Sequence, residues 1–242
     1  MRSSQIKNIA LFLLCLLALP LLLAGVKVAI AWAAERYIYS VPWIGGLLKS
    51  LEIVELSNIV VFALLGLGLG AATIFLPKLR GVAPKVGIML LVFILAAGVF
   101  SASYVTRQHL WIQRIADRSD ISLAAAENLT NDLLMTQVGD RGFWGFYRYT
   151  TQVPVLPTDA DDLKNLAAEE KWVRSELTRF SGVEPGVFSR VFRLAGWGIR
   201  IFYMLLAAVT VLIYFLKGTH WAETQTPKPA PPPAPKKVPQ RR

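Results

Sequence analysis

The sequence is short of charge, of cysteine and of histidine. Only 17% of its 242 residues are charged, where soluble domains carry about a quarter. One cysteine, Cys15, cannot close an internal disulfide, so no disulfide framework holds the chain on either side of a membrane. Cys15 lies in an apolar run and reads as a small apolar helix residue. The Phe12-Leu13-Leu14 before it lacks the small residue of a lipoprotein signal. The two histidines, His109 and His220, fall far apart in the chain and are expected on opposite sides of the bilayer, so they do not share a metal. No glycine-rich phosphate loop, HExxH or nucleophile elbow occurs. Asp159, Asp161 and Asp162 read as a helix start rather than a metal site.

What is abundant is apolar sequence, 54% of the chain, gathered into four long blocks. Each reaches the roughly 18 residues that cross about 30 Å of hydrocarbon as a helix. The predicted fold is all-α: a polytopic membrane protein with a four-helix transmembrane bundle and a small helical extracytoplasmic cap between helices 3 and 4. Residues 1–104 hold transmembrane helices 1–3 (about 9–34, 58–76 and 86–104) with an interfacial loop at 35–57. Residues 105–192 form the cap, 193–217 transmembrane helix 4, and 218–242 a disordered, basic, proline-rich cytoplasmic tail. Pro20 inside the first block predicts a kink rather than a break.

Charge sets the expected orientation. With both termini cytoplasmic, the inner segments hold eleven Lys and Arg, from Arg2 to Arg242, against Glu223 alone. The outer segments are nearly balanced, so the whole +10 net charge falls on one side. The setting this predicts is a bacterial inner membrane. The positive charge then needs no nucleic-acid partner. A competing reading takes residues 1–33 as a cleaved signal peptide ending at Ala31-Trp32-Ala33. The length of the apolar stretch and Lys27 within it argue against this.

Within the cap, one helix is expected from just after Asp120 to Gln137, stopped by Gly139. Another is expected from Thr158, as N-cap, to Phe180, and a last one begins near Pro185 and runs into helix 4. Between the first two lies an aromatic run, Arg141 to Tyr149. Its Phe143, Trp144, Phe146, Tyr147 and Tyr149, with Arg141 and Arg148, are candidates for a partner or lipid contact; the plainer alternative is that the rings plug the cap onto the membrane surface. Trp43 in the first outer loop is a further candidate.

Chemistry at membrane depth needs polar groups there. The spans with these bounds contain no Asp, Glu or His. Lys27 and Arg200 sit near outer helix ends and are expected to snorkel to the surface. Small residues are the remaining signal: Gly66 with Gly70, and Gly98 with Ala102, have the spacing that lets helices approach closely. Helices 2 and 3 are expected to pack on each other there, and a homo-oligomer could use the same device. These features predict a protein that is not an enzyme and has no cofactor. The expected role is a scaffold, assembly factor or accessory subunit that contacts membrane lipids and other membrane or envelope proteins. The alternative is a transporter or channel subunit working as an oligomer.

Overall fold

In hydrocarbon a backbone must satisfy its own hydrogen bonds, and an apolar helix does this within one segment. A computed structural model of the chain describes residues 2–38, 48, 51–76, 82–152, 156–163 and 185–225. Every regular element among the described residues is helical. Helix α1 spans Arg2–Ala33 and passes through Pro20, and a π turn, Ala34–Ile38, continues it. A 3-10 turn at Ile53–Ser57 leads into α2, Asn58–Ala72, which a second 3-10 turn extends to Phe75. Then come α3 (Val82–Ser119), α4 (Leu123–Val138), α5 (Gly142–Tyr149) and α6 (Pro185–Gln225).

Four of these stretches are long and apolar enough to cross a membrane: Gln5–Ile38, Ile53–Phe75, Lys85–Ser119 and Arg193–Gln225. They match the four apolar blocks, but they run further. At 1.5 Å per residue, α3 and α6 are each about 60 Å long, roughly twice the hydrocarbon thickness. Both are therefore well beyond the spanning length.

The bundle core sits between α2, α3 and α6. Phe62, Leu65 and Leu69 of α2 meet Val92, Val99 and Phe100 of α3, and Val211 and Phe215 of α6, with Leu23 of α1 joining them. The closest pairing is α2 with α6, not α2 with α3. The glycines explain it. A Cβ on Gly66 would lie 2.4 Å from the Val211 carbonyl oxygen, and one on Gly70 would lie 2.4 Å from that of Phe215. From the other side, a Cβ on Gly218 would lie 2.5 Å from the Leu67 carbonyl. The GxxxG pair thus seats α6, which corrects the expected partner. Gly98 is exposed, and a methyl added to it would meet nothing within 4 Å, while Ala102 is half-buried. The α3 pair therefore does not form a matching seam within this chain.

A second core lies on the distal half of α3. Trp111, Ile112 and Ile115 pack against Ala126 and Leu134 of α4 and Phe146 and Tyr149 of α5. The Trp111 indole donates to the Pro157 carbonyl at 2.8 Å. Helix α4 begins and ends as expected. Ser122 Oγ accepts from the Ala125 amide at 3.2 Å, and Gly139 closes the helix in the left-handed region at φ 75°. The next N-cap shifts by one residue. Asp159 Oδ1 accepts from the Asp162 amide at 2.8 Å, while the Thr158 amide and hydroxyl both donate to the Asp162 carboxylate. The expected continuation of that helix to Phe180, Trp43 with the rest of 39–47, and residues 226–242 lie outside the described residues, while 218–225, expected as disordered tail, continue α6.

Candidate functional site

Where the segment between α1 and α2 joins α2, the turn at Ile53–Ser57 and its N-cap carry two acids three residues apart, Glu52 and Glu55. Glu52 holds a left-handed conformation, φ 48°, and its carbonyl accepts from the Glu55 amide at 2.8 Å. That tight turn points both carboxylates into the bundle, where both are buried.

Glu55 is the inner of the two. Its Oε2 accepts from Lys27 Nζ at 2.8 Å and from Asn58 Nδ2 at 3.1 Å, and its Oε1 accepts from the Ser103 hydroxyl at 2.7 Å. Lys27 Nζ also donates to Asn58 Oδ1 at 2.8 Å and to the Phe100 carbonyl at 3.4 Å. The rings of Phe100 and Phe62 flank the ammonium at 4.9 Å and 5.8 Å. The Lys27 and Glu55 side chains are both 0% exposed. A buried ion pair persists only when hydrogen bonds also satisfy its remaining lone pairs and protons, and Asn58 and Ser103 supply these.

Glu52 anchors a second group. Arg200 Nη2 and Nε donate to Glu52 Oε1 at 2.9 Å and 3.1 Å, and the Tyr104 hydroxyl donates to Oε2 at 2.8 Å. Arg200 also donates to the Tyr147 carbonyl and, at 2.6 Å, to the Thr150 hydroxyl. Its guanidinium lies over the rings of Tyr147 (4.3 Å) and Tyr104 (4.9 Å). Burial pushes the Tyr147 phenol above its ordinary pKa despite the neighbouring Arg200. From Glu52 the chain of charges continues outward. Arg107 lies 3.9 Å from Glu52 and 3.5 Å from the buried Glu35, whose other oxygen accepts from Arg114 at 3.1 Å. The result is a ladder joining α1, the turn before α2, α3, α5 and α6.

Two expectations change here. Lys27 and Arg200 do not snorkel; both are fully buried and turned inward. Glu35 and Glu55, expected in a loop apart from the spans, lie near the ends of the candidate stretches Gln5–Ile38 and Ile53–Phe75 and pair with Arg107 and Lys27. The reason is one of boundaries. Ending block one at Ala34 and starting block two at Asn58 leaves Glu35, Glu52 and Glu55 in a loop. Yet Lys27 stands within an otherwise apolar run of α1, and a cation that does not reach water needs a partner at its own level. The neighbourhood of Glu55 and Asn58 is the available signal for that partner. Arg107, Ser103 and Tyr104 give none, because one face of a helix is visible only once its neighbours are known.

The aromatic run is divided rather than collective. It forms helix α5, with Phe146 and Tyr149 buried against Trp111. Tyr147 packs edge-on to Tyr104 and carries the carbonyl that binds Arg200. Phe143 stacks on Tyr147, while Trp144 is 66% exposed. Arg141 and Arg148 form exposed pairs with Asp132 and Asp140. Phe143, Trp144 and Tyr147, with Trp197, Phe100 and Phe93, border an apolar cleft of about 480 Å³ between α3 and α6.

Among the described residues no three His, Cys, Asp or Glu side chains gather as metal ligands. His109 contacts Gln113 on its own helix. Comparison of this chain with protein-family models, with curated proteins and with solved structures finds no match.

Proposed function

We propose that this chain is a non-enzymatic, multi-pass membrane protein acting as a scaffold, assembly factor or accessory subunit of a membrane complex. The observation that carries this reading is the way the ladder closes on itself. Lys27, Glu55, Asn58 and Ser103 bond to one another in one cluster, and Arg200 meets Glu52, Thr150 and Tyr147 in the other. Buried clusters bonded in this way fix the elements they join and specify one arrangement of them. A rigid platform of this kind suits holding a partner. The exposed Trp144 at the rim of the apolar cleft is the feature suited to contact one, because large exposed aromatics are enriched where proteins meet.

The test is purification from native membranes in mild detergent. A stoichiometric larger complex is expected, with recovery of the partner falling several-fold in Trp144→Ala. A lone homo-oligomer that conducts ions in bilayers would overturn the reading. That outcome belongs to the second reading, a transporter or channel subunit. The buried Lys27–Glu55 pair, at the start of the candidate span Ile53–Phe75, favours it, because ionisable groups inside a bundle often mark ion paths.

The placement we propose is a bacterial inner membrane with both termini cytoplasmic and α4 and α5 on the outer side. It is supported by the one-sided excess of Lys and Arg. A reporter fused after Arg242 is expected to be active only in the cytoplasm; activity on the far side would reverse the orientation.

A further inference from the structure

The apolar cleft of about 480 Å³ between α3 and α6 reaches Phe62 of α2 and is lined by small residues, Ala97 and Ser101 on α3 and Ala207 and Ala208 on α6. The rings of Phe143, Tyr147 and Trp197 gather at one end, where Tyr147 meets Trp197 edge-on at 6.1 Å. We propose that this cleft holds one acyl chain of a membrane lipid.

Chemistry is the first argument. Ser101 Oγ donates to the Gly98 carbonyl at 2.9 Å, and the Tyr147 hydroxyl turns to Met204 Sδ at 3.9 Å. Both hydroxyls of the described lining are engaged, so the walls offer little to water or to a polar ligand. An apolar cavity stays dry, and lining atoms that face a void lose dispersion contacts. Placement is the second argument. The lining draws on three of the stretches long and apolar enough to cross a membrane. Ile94 of α3 and Ile201 and Leu205 of α6 stand exposed on the same helices. The cleft thus continues an apolar surface whose solvent in a bilayer is hydrocarbon. Tyr and Trp favour the headgroup level, which puts the lipid's head at the α5 end and its chain inward. Shape is the third argument. From Phe93 to Ser101 on α3 and from Trp197 to Ala208 on α6, the lining runs about 12–16 Å at 1.5 Å per residue. Spread over that length, 480 Å³ leaves a cross-section of about 30–40 Å², whereas a helix about 10 Å across needs roughly 80 Å². A partner's helix is too wide to enter, and a single hydrocarbon chain is not. In volume the cleft matches about sixteen groups the size of a water molecule, at about 30 Å³ each, and a methylene is of similar size. Support is the fourth argument. Gly66 and Gly70 seat α6 on α2, and Arg200 ties it to Glu52. These fastenings keep α6 from closing on α3, so the cleft stands ready before a chain enters it.

The test uses the full chain purified in a sterol-based detergent, whose fused rings are too wide for the cleft. Dioleoyl phosphatidylcholine is the probe, and native mass spectrometry reads the lipid retained. One phosphatidylcholine per chain is expected to survive activation that strips the rest. Diphytanoyl phosphatidylcholine has the same headgroup on wider, methyl-branched chains and should be retained several-fold less. Ala97→Phe and Ala208→Phe fill the cleft and should each lower retention of the dioleoyl lipid several-fold. Ala97 is exposed at the mouth, so its variant keeps the fold even if Ala208→Phe does not. Ile94→Ala, on the open face of α3, should leave retention unchanged. In the same detergent, the dioleoyl lipid should raise the thermal midpoint of the parent and of Ile94→Ala but not that of Ala97→Phe. Equal retention of the two lipids, retention that survives Ala97→Phe, or no retained lipid would overturn the proposal. So would a co-purified protein chain that Ala97→Phe releases while no lipid is found. The proposal rests on the membrane placement of the helices, so its failure would leave the scaffold reading, tested by partner recovery, standing.

Discussion

Glu55→Ala is expected to destabilise the bundle by about 3–5 kcal/mol, the cost of leaving one member of a buried pair alone. The substitution removes three acceptor contacts at once. Lys27 Nζ loses its 2.8 Å partner, the Ser103 hydroxyl loses its 2.7 Å acceptor and Asn58 Nδ2 loses its 3.1 Å one. Lys27 cannot turn out to water from its place between Phe62 and Phe100 without breaking that packing. The check is thermal unfolding of the purified protein in one detergent. The double variant Lys27→Met with Glu55→Leu should recover most of the loss, since apolar replacement of a whole buried pair is often near neutral. A Glu55→Ala midpoint equal to the parent's would mean that the pair is hydrated or does not form. A double variant as unstable as the single one would mean that Ser103 and Asn58, not Lys27, set the cost.

The same residues show what could be read from the chain alone. The four apolar blocks were legible because a spanning helix needs only length and composition. The Ser122 cap that sets the start of α4 was not singled out, but the end of α4 was legible too, since Gly139 acts through local backbone chemistry. The ladder was not. It joins Glu35, Glu52 and Glu55 to cations 28 to 148 positions away in sequence, and no local pattern encodes such pairings. Lys27 and Arg200 stood out as isolated cations, and snorkelling is the right default for a cation near a helix end. What overrode it was the strained turn at Glu52, which brings two carboxylates inward to meet them. The small residues were legible as close-approach sites, but their partner was not, because GxxxG states that something comes near and not which helix does.

That ambiguity yields the second large effect. Gly→Ala in a helix interior normally gains roughly 0.5–1 kcal/mol by reducing the freedom of the unfolded chain. At Gly66 and Gly70 the sign should reverse. Each new methyl would lie 2.4 Å from a carbonyl oxygen of α6, and backbone cannot swing aside as a side chain can. Overpacking of this kind costs about 1–3 kcal/mol for a methyl group, and Gly66→Leu or Gly70→Leu should go beyond that and separate α2 from α6. Gly98→Ala serves as the opposite case, with open space around it, and is expected to be neutral or slightly stabilising. Thermal midpoints of the three alanine variants, with circular dichroism to confirm retained helix, decide the matter. If Gly98→Ala were the damaging one, the small residues of α3 would form the seam instead, either with α2 or with a second copy of the chain. If Gly66→Ala and Gly70→Ala were harmless, α6 would not lie where its carbonyls meet those glycines. Because Arg200 rides on the same helix, a displaced α6 would also withdraw the guanidinium from Glu52. The glycine seam and the charge ladder are thus two fastenings of one helix, and variants in the two should not be additive.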